Sequence, residues 1–440
     1  MTEIHAASAP VRERLTHIDM IRGVALFGIL LMNVTSFGLP SSYSDPTIWG
    51  GATGANFWAW AVIQVFFEGT QRGMFSMLFG AGLILLTSRL EASGRTDTAD
   101  IYYRRNLWLI GFGVIHSYLL LWTGEILFYY GCAALFLFAL RNLPPRTLLT
   151  MAAAGLAIGA LWNGLDSYNA DDAWRKASAA QAAAASGTTL TPDQQDDLEA
   201  WKKLESDLKP DQRALDKKLA AYRGSYAEVF MHQAPLNAHY QSWWNYRYFF
   251  DVVAMMLAGM ALFKNGVLRL KSPTSAYVAM VAAGYTIGIA VNYFELRIIV
   301  DGQYSILSFL RSLWTYDLGR IAMTIGHLGA LLLFARSGSL PWLRRSLAAV
   351  GQLALSNYVT HSLVCALVFY GFGLGWYGHL ERHQLYFVVF AIWIAQLIIS
   401  PIWLARFQFG PVEWLWRSLT YTAKQPFRRG QAAATDSAAA

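Results

Sequence analysis

Charged residues are scarce in this chain: Asp, Glu, Lys and Arg make up only 14% of its 440 residues, whereas hydrophobic residues make up 55%. An ordinary soluble globular domain has about 25% charged residues. This shortage argues against a soluble globular protein and predicts that most of the chain lies in a lipid bilayer.

Cysteine is also scarce, since the chain has only Cys132 and Cys365. Two cysteines are too few for a thiolate metal cluster, and both fall in apolar segments, so no disulfide framework is indicated. The sequence also contains no P-loop, no His-Glu-x-x-His metal motif and no dinucleotide-binding glycine fingerprint. We therefore expect no metal and no covalently bound cofactor.

The long apolar segments are what the chain has in abundance. Several approach the roughly 20 residues that span a hydrocarbon core, and the shorter ones reach that length with their flanks. They predict an all-α polytopic membrane protein with about ten transmembrane helices, and residues 56–68 are interpreted as an interfacial or re-entrant helix. The ten segments are residues 18–37, 73–87, 107–121, 126–140, 148–162, 249–263, 276–293, 321–334, 347–370 and 385–404.

The net charge of +7 follows the predicted topology and does not indicate a nucleic-acid partner. Basic clusters alternate with the apolar segments, while residues 38–55 and 122–125 contain no Lys or Arg. By the positive-inside rule, we expect a bacterial inner-membrane protein with both termini in the cytoplasm and an uncleaved first span. The clusters are residues 12–14, 89–105, 141–146, 264–271, 336–345 and 406–429.

One polar insertion divides the predicted spans five and five. Its alanine-rich run at 177–187 is expected to be flexible or weakly helical, and amphipathic helices are expected to start near Thr191 and Asp211. The insertion is either a hairpin that caps the bundle or a substrate lid. The predicted domains are an N-terminal membrane half (1–165), an extracytoplasmic helical insertion (166–244), a C-terminal membrane half (245–420) and a cytoplasmic tail (421–440).

Ionisable side chains in a bilayer are costly, which makes each one a functional candidate. In the first span, Asp19 and Arg22 are one helical turn apart, and Asn33 follows Arg22 by eleven residues, about 16 Å of helix. All three can face one groove that crosses the membrane. Alternatively, Asp19 belongs to the start of the helix and Arg22 is a positive-inside anchor. This alternative does not account for Asn33.

His116 and Glu125 lie at the predicted outer ends of the third and fourth spans, with Tyr129 nearby. A histidine beside a carboxylate can act as a general base whose ring the acid orients. The alternative is a structural hydrogen bond between helices.

Two further polar groups lie in the C-terminal half. Arg320 and His327 share one face of the eighth span, where Arg320 must pair with an acid or face water. Asn357 and His361 lie one turn apart on the ninth span. Either group could line a substrate or donor pathway, or hold helices together through hydrogen bonds.

Seven distinctive stretches are spread over most of the chain outside the insertion. They are Ile18-Asp19-x-x-Arg22-Gly23 with Asn33, Phe67-Glu68-Gly69, Met77-Leu78-Phe79-Gly80-Ala81-Gly82, Gly124-Glu125-Ile126-Leu127 with Tyr130, Ala354-Leu355-Ser356-Asn357-Tyr358, Tyr370-Gly371-x-Gly373-Leu374-Gly375 and Gly410-Pro411-x-Glu413-Trp414-Leu415-Trp416-Arg417. Together they resemble the YeiB-like family of membrane proteins, which is defined by a C-terminal domain of unknown function.

The first stretch is also similar to the opening helix of transmembrane acyltransferases, including enzymes that modify bacterial surface polysaccharides and the lysosomal enzyme that acetylates heparan glucosamine. The polysaccharide-modifying group has a catalytic His where this chain has Asn33. The lysosomal group has Asn there and a His in the following loop, but residues 34–55 contain no His. The resemblance therefore implies that the base would be His116, His327 or His361.

The leading hypothesis is an acyltransferase. Acyl-CoA would bind near Arg22 on the cytoplasmic side, and the acyl group would pass to an extracytoplasmic glycan, lipid or small molecule. His116, oriented by Glu125, would be the base, and Asn33 or Arg320 would stabilise the oxyanion. The alternatives are a transporter or exporter of a small polar or amphiphilic molecule, and a non-catalytic membrane scaffold or receptor.

Overall fold

The computed structural model describes residues 15–40 and 45–430, and within these ranges every named element is a helix. Arg12, Arg14 and the end of the tail beyond residue 430 lie outside the described residues. The predicted all-α fold is therefore confirmed. The helices are α1 (Thr16–Gly38), α2 (Gly54–Phe66), α3 (Thr70–Ala92), α4 (Thr98–Leu119), α5 (Leu127–Leu140), α6 (Pro145–Ala185), α7 (Pro192–Leu208), α8 (Gln212–Tyr222), α9 (Tyr226–His239), α10 (Asn245–Lys264), α11 (Thr274–Asp301), α12 (Ile306–Ser337), α13 (Pro341–Gln352), α14 (Ala354–Phe369), α15 (Arg382–Arg406) and α16 (Pro411–Tyr421).

Seven helical stretches in the described part of the chain are long and apolar enough to cross a membrane. The pair formed by α13 and α14, bent by 81°, makes an eighth if it counts as one span. The polytopic membrane architecture is thus confirmed, but the number ten is not. The two remaining predicted spans correspond to α4, which carries Arg104 and Arg105, and to α5, which has only 14 residues.

Several stretches are longer than a bilayer requires. Helix α6 has 41 residues, a length of about 60 Å, so it continues from a predicted span into the insertion. Its alanine-rich end is regular helix because alanine has the highest helix propensity, and because Ala177 is buried against Trp201 of α7. Likewise α2 and α3 belong to one apolar stretch of 39 residues, Gly54–Ala92, so the segment interpreted as interfacial or re-entrant leads directly into α3.

The helices of the insertion begin at side chains that bond the free N–H groups of a first turn. Thr191 and Gln194 form a capping box at α7, Asp211 accepts from the backbone N–H of Ala214 at α8, and Ser225 and Glu228 form a second box at α9. The first two starts agree with the sequence prediction.

The insertion is bound to the loop that follows α14. The Tyr222 ring stacks on the Tyr377 ring with centroids 4.4 Å apart. The backbone N–H of Gly371 donates to the Tyr222 carbonyl at 2.8 Å, and Arg223 donates to the Tyr377 carbonyl at 2.8 Å. These contacts hold the insertion against the membrane bundle.

Glycines let two pairs of helices approach closely. A Cβ on Gly80 of α3 would lie 2.0 Å from the Met256 carbonyl oxygen, and one on Gly259 of α10 would lie 1.8 Å from the Met77 carbonyl oxygen. Gly23 of α1 and Gly351 of α13 form a second contact of this kind. Small residues at such crossings are how membrane helices gain packing energy.

Substituting Gly259 with valine is expected to destabilise the protein by about 1–3 kcal/mol or more, because the added side chain overlaps backbone atoms that cannot move aside. Thermal unfolding in detergent would measure this as a lower midpoint. Gly82→Ala is the matched control, since nothing lies within 4 Å of its added Cβ. Equal midpoints for the two variants would contradict the close packing of α3 and α10.

Candidate functional site

A cavity of about 370 Å³ lies between α1, α3, α4, α5, α13, α14 and α16. Its volume is in the range of ligand-binding pockets in proteins. Its wall is mainly apolar, with charged side chains contributed by α1, α3, α4 and α16. The apolar lining includes Ile18, Phe75, Leu78, Phe79, Leu83, Leu86, Leu109, Ile126, Leu127 and Leu355.

Positive charge is in excess on the charged part of the wall. Among the residues that the structure describes, four arginines line the cavity, Arg22, Arg89, Arg105 and Arg417, and two carboxylates do. Of the carboxylates, Asp19 accepts from Arg22 at 2.8 Å. The four positive and two negative charges leave an excess of +2, which favours an anionic ligand.

Helix α16 forms one side of this charged region and is fixed to two other helices. The Glu413 carboxylate accepts from the backbone N–H of Ser356 at 2.9 Å and from its hydroxyl at 2.5 Å, which ties α16 to the first turn of α14. The Trp416 indole N–H donates to the Arg105 carbonyl at 2.8 Å, and the Arg105 guanidinium lies 3.6 Å from the Trp416 ring centroid. The arginines therefore sit on a rigid frame.

Two of the four tyrosines that line the cavity lie close to other polar side chains of the bundle. The Tyr130 hydroxyl is 2.6 Å from the Ser76 hydroxyl and donates to the Arg72 carbonyl at 3.2 Å. The Tyr358 ring packs edge-on against the His116 ring, with centroids 4.9 Å apart. Because Tyr358 lines the cavity and His116 does not, Tyr358 lies between the two.

His116 and Glu125, which were predicted to act together, lie next to each other. The His116 Nδ1 is 3.5 Å from a Glu125 carboxylate oxygen, and its Nε2 is 2.8 Å from the Ser362 hydroxyl. Glu125 also accepts from the backbone N–H groups of Leu127 and Phe128, so it caps α5 as well. His116 is 1% exposed and Glu125 3%, so bulk water does not reach this group.

Arg22 and Asn33 occupy different surroundings on α1. Arg22 lines the cavity and also donates to the Gly351 carbonyl at 3.4 Å. Asn33 is half-buried and does not line the cavity. Among the described contacts, none joins Asn33 to His116 or Glu125.

Arg320 lies in a buried ionic network outside the cavity. Its guanidinium pairs with Asp251 and with Asp317, the latter at 2.6 Å, and Arg72 reaches the same Asp251 at 3.4 Å. Asn163 donates to the second Asp317 oxygen at 2.9 Å. The network joins α3, α6, α10 and α12, so Arg320 serves helix packing rather than the cavity.

Replacing Asp251 with asparagine is expected to destabilise the fold by about 3–5 kcal/mol, because it leaves Arg72 and Arg320 without their shared buried counter-charge. Thermal unfolding in detergent would show the loss. Asp301→Asn is the control, since the exposed pair of Asp301 and Arg297 is worth at most about 1 kcal/mol. An Asp251→Asn variant as stable as the control would contradict the proposed role of the network.

The other three candidates make structural hydrogen bonds. The two ring nitrogens of His327 are 2.7 Å from the Phe66 carbonyl and 3.0 Å from the Tyr285 hydroxyl. Asn357 donates to the Val350 carbonyl at 3.1 Å, and His361 lies 2.9 Å from the Gln396 side-chain oxygen. None of the three lines the cavity.

Sequence reasoning did not assign Arg89, Arg105, Arg417, Tyr358 or Ser362 to the site. The three arginines belong to the basic clusters that were interpreted as topological charges, and Arg417 and Tyr358 also lie in the family stretches. The family stretches were the available signal, because several of them meet at this cavity. Within residues 15–40 and 45–430, no group of three or more His, Cys, Asp or Glu is placed to hold a metal ion.

Known relatives match almost the whole chain. The uncharacterised protein YeiB of Escherichia coli (strain K12) is 30% identical over 426 residues, which cover 94% of this chain and 98% of that protein. This chain belongs to the YeiB-like family. The uncharacterised protein YxaH of Bacillus subtilis (strain 168) is 28% identical over 429 residues, covering 95% of this chain and 96% of that protein.

The family model described as a protein of unknown function (DUF418) matches residues 262–423, which include α14 and α16 of the cavity. No solved structure matches the chain. With its apolar helices and its bacterial relatives, this member of the YeiB-like family is a multi-pass protein of a bacterial membrane.

Proposed function

We propose that this protein is a membrane acyltransferase that moves an acyl group from acyl-CoA to an extracytoplasmic glycan, lipid or small molecule. The observation that carries the proposal is the cavity, which combines four arginines with an apolar wall and is lined by Tyr358, whose ring contacts His116. Acyl-CoA carries phosphates, which suit the arginines, and a hydrocarbon chain, which suits the apolar wall.

The arginines suit the phosphates of the donor. A guanidinium presents several N–H groups in a plane and binds phosphate oxygens through two of them at once. Arg105 and Arg417 are held against aromatic rings, so little side-chain freedom is lost when they bind a ligand. Among the described residues that line the cavity, the four positive charges exceed the two negative charges of Asp19 and Glu413, so the lining favours an anionic donor.

The apolar wall suits the acyl chain and directs it toward the histidine. Leu78, Leu109 and Leu355 line the cavity, and Tyr358 separates it from His116. His116 would accept the proton of the attacking group, with its ring oriented by Glu125. Both are buried, so water competes poorly as an acceptor of the acyl group.

The positive-inside pattern orients the reaction. It places both termini, and with them Arg22 and Arg89, on the cytoplasmic side of the inner membrane, where acyl-CoA is made. His116 and Glu125 then lie nearer the outer side, beneath the insertion. A donor would therefore enter from the cytoplasm and its acyl group would leave outward.

Purified protein in detergent or nanodiscs, offered acetyl-, octanoyl- and palmitoyl-CoA together with bacterial lipid and envelope-glycan extracts, tests this function. The proposal predicts saturable acyl-CoA binding by native mass spectrometry, release of free CoA and an acylated product. Binding followed by movement across a proteoliposome membrane without a covalent product would favour the export alternative. No binding of any acyl-CoA would overturn the proposal.

A further inference from the structure

Ser362 continues the face of α14 that lines the cavity. Leu355 and Tyr358 line it, and Ser362 follows Tyr358 by four residues, so the three side chains share one face of the helix. Ser362 is 1% exposed and lies one turn beyond Tyr358. It is therefore the first hydroxyl on this face past the tyrosine that separates the cavity from His116.

The arrangement of Ser362, His116 and Glu125 is that of a nucleophile, its base and the acid that orients the base. The Ser362 hydroxyl is 2.8 Å from His116 Nε2, and His116 Nδ1 is 3.5 Å from Glu125. Such a constellation is recognised by its geometry on unrelated folds. Each residue comes from a different part of the bundle: α14, α4 and the link between α4 and α5.

A buried hydrogen-bond donor lies in the same link. Trp122 is 2% exposed, and its indole N–H interacts with the Tyr358 side chain. Its ring is stacked on Phe37 and packs against Gly124, whose carbonyl accepts from the Tyr358 hydroxyl at 3.5 Å. When the Tyr358 ring turns away, the buried N–H needs another acceptor, and a developing oxyanion is such an acceptor.

We propose that Ser362 is a nucleophile that carries the acyl group as an ester between donor and acceptor. This inference rests on the proposed acyltransferase function and adds a covalent intermediate to it. Rotation of the Tyr358 ring would open the cavity to Ser362, so that the thioester carbonyl can reach the hydroxyl. The Trp122 N–H would then bond the carbonyl oxygen as it gains negative charge.

The two half-reactions balance without any further reactant. In the first, the Ser362 oxygen attacks the thioester carbon and its proton passes to His116 Nε2; the carbon–sulfur bond breaks, and CoA leaves as a thiol with that proton. In the second, a hydroxyl or amine of the acceptor attacks the ester carbon and gives its proton to His116; the bond from that carbon to the Ser362 oxygen breaks, and His116 returns a proton to the Ser362 oxygen. Glu125 keeps the imidazole oriented in both.

Intact-protein mass spectrometry after acid quenching tests the intermediate. With octanoyl-CoA and no acceptor, the native chain is expected to gain one octanoyl mass at Ser362 and to release one equivalent of CoA. Ser362→Ala is expected to lose the adduct and to slow transfer by about 100-fold or more while still binding octanoyl-CoA. Ser362→Cys is expected to regain an adduct as a thioester.

Thr360→Ala removes a hydroxyl from the same helix, where Thr360 bonds only its own helix backbone, and is expected to keep the adduct. Product formation by Ser362→Ala at the native rate, or an acylated product from the native chain with no adduct at any quench time, would overturn the nucleophile but not the acyltransferase. Failure of the native chain to bind octanoyl-CoA would overturn both.

Discussion

Exchanging Arg22 and Arg105 together for glutamine is expected to weaken acyl-CoA binding by about 100-fold or more. Each charge-assisted hydrogen bond to a phosphate contributes about 1.5–3 kcal/mol, and about 1.4 kcal/mol is a tenfold change in affinity. Both residues line the cavity, and Arg22 also donates to Asp19 at 2.8 Å. Titration of the detergent-purified variant with octanoyl-CoA would measure the loss.

Arg345→Gln is the matched control for this pair. Arg345 belongs to a basic cluster on the same predicted side of the membrane, but it is exposed on α13 and does not line the cavity. Its removal lowers the net charge by one without changing the site. If Arg345→Gln lost as much affinity for octanoyl-CoA as Arg22→Gln or Arg105→Gln alone, general surface charge and not the cavity would attract the donor.

Substituting His116 with alanine is expected to slow acyl transfer by about 100- to 10,000-fold, the usual contribution of a positioned general base. Donor affinity should stay close to the native value, because His116 does not line the cavity where the donor binds. Release of CoA, followed with a thiol reagent, would measure the rate, and native mass spectrometry would measure the binding.

His327→Ala and His361→Ala are the comparison variants for His116→Ala. The acyltransferase resemblance left His327 and His361 as the other two candidates for the base. Their rings bond the Phe66 carbonyl and the Gln396 side chain, away from the cavity. Both variants are expected to lower thermal stability and to retain transfer. If one of these two variants lost acyl transfer while His116→Ala remained active, the histidine removed in that variant would be the base.

Local spacing accounts for the parts of the site that the sequence could predict. Asp19 and Arg22 pair because residues three apart on a helix are neighbours. His116 and Glu125 approach because a short link joins the end of α4 to the start of α5. The starts of α7 and α8 follow from Thr191 and Asp211, whose side chains bond the first-turn N–H groups.

The remaining site residues depend on which helices are neighbours, and spacing along the chain does not determine that. Arg105 contacts Trp416, which is 311 residues away along the chain, and His116 contacts Ser362, which is 246 residues away. Arg320 could be predicted to need an acid, but not to share Asp251 with Arg72. The pairing of Arg320 also explains why it is absent from the cavity.

The bend between α13 and α14 shows why the count of spans was difficult to predict. Residues 347–370 read as one continuous apolar run, yet the chain turns by 81° at Leu353. A bend frees backbone carbonyls that lipid cannot satisfy. Asn357 donates to the Val350 carbonyl at 3.1 Å, so its amide stabilises the bend, and Gly351 packs against α1 at the same point.

Photolabelling with an acyl-CoA that carries a diazirine in its acyl chain would locate the bound donor. Labels are expected on peptides from α3, α4 and α14 that line the cavity, such as those containing Leu78, Leu109 and Leu355, and excess octanoyl-CoA is expected to remove them. Labels confined to α6 and α11, whose side chains are largely exposed on the outside of the bundle, would contradict a donor site in this cavity, as would labels that excess octanoyl-CoA does not reduce.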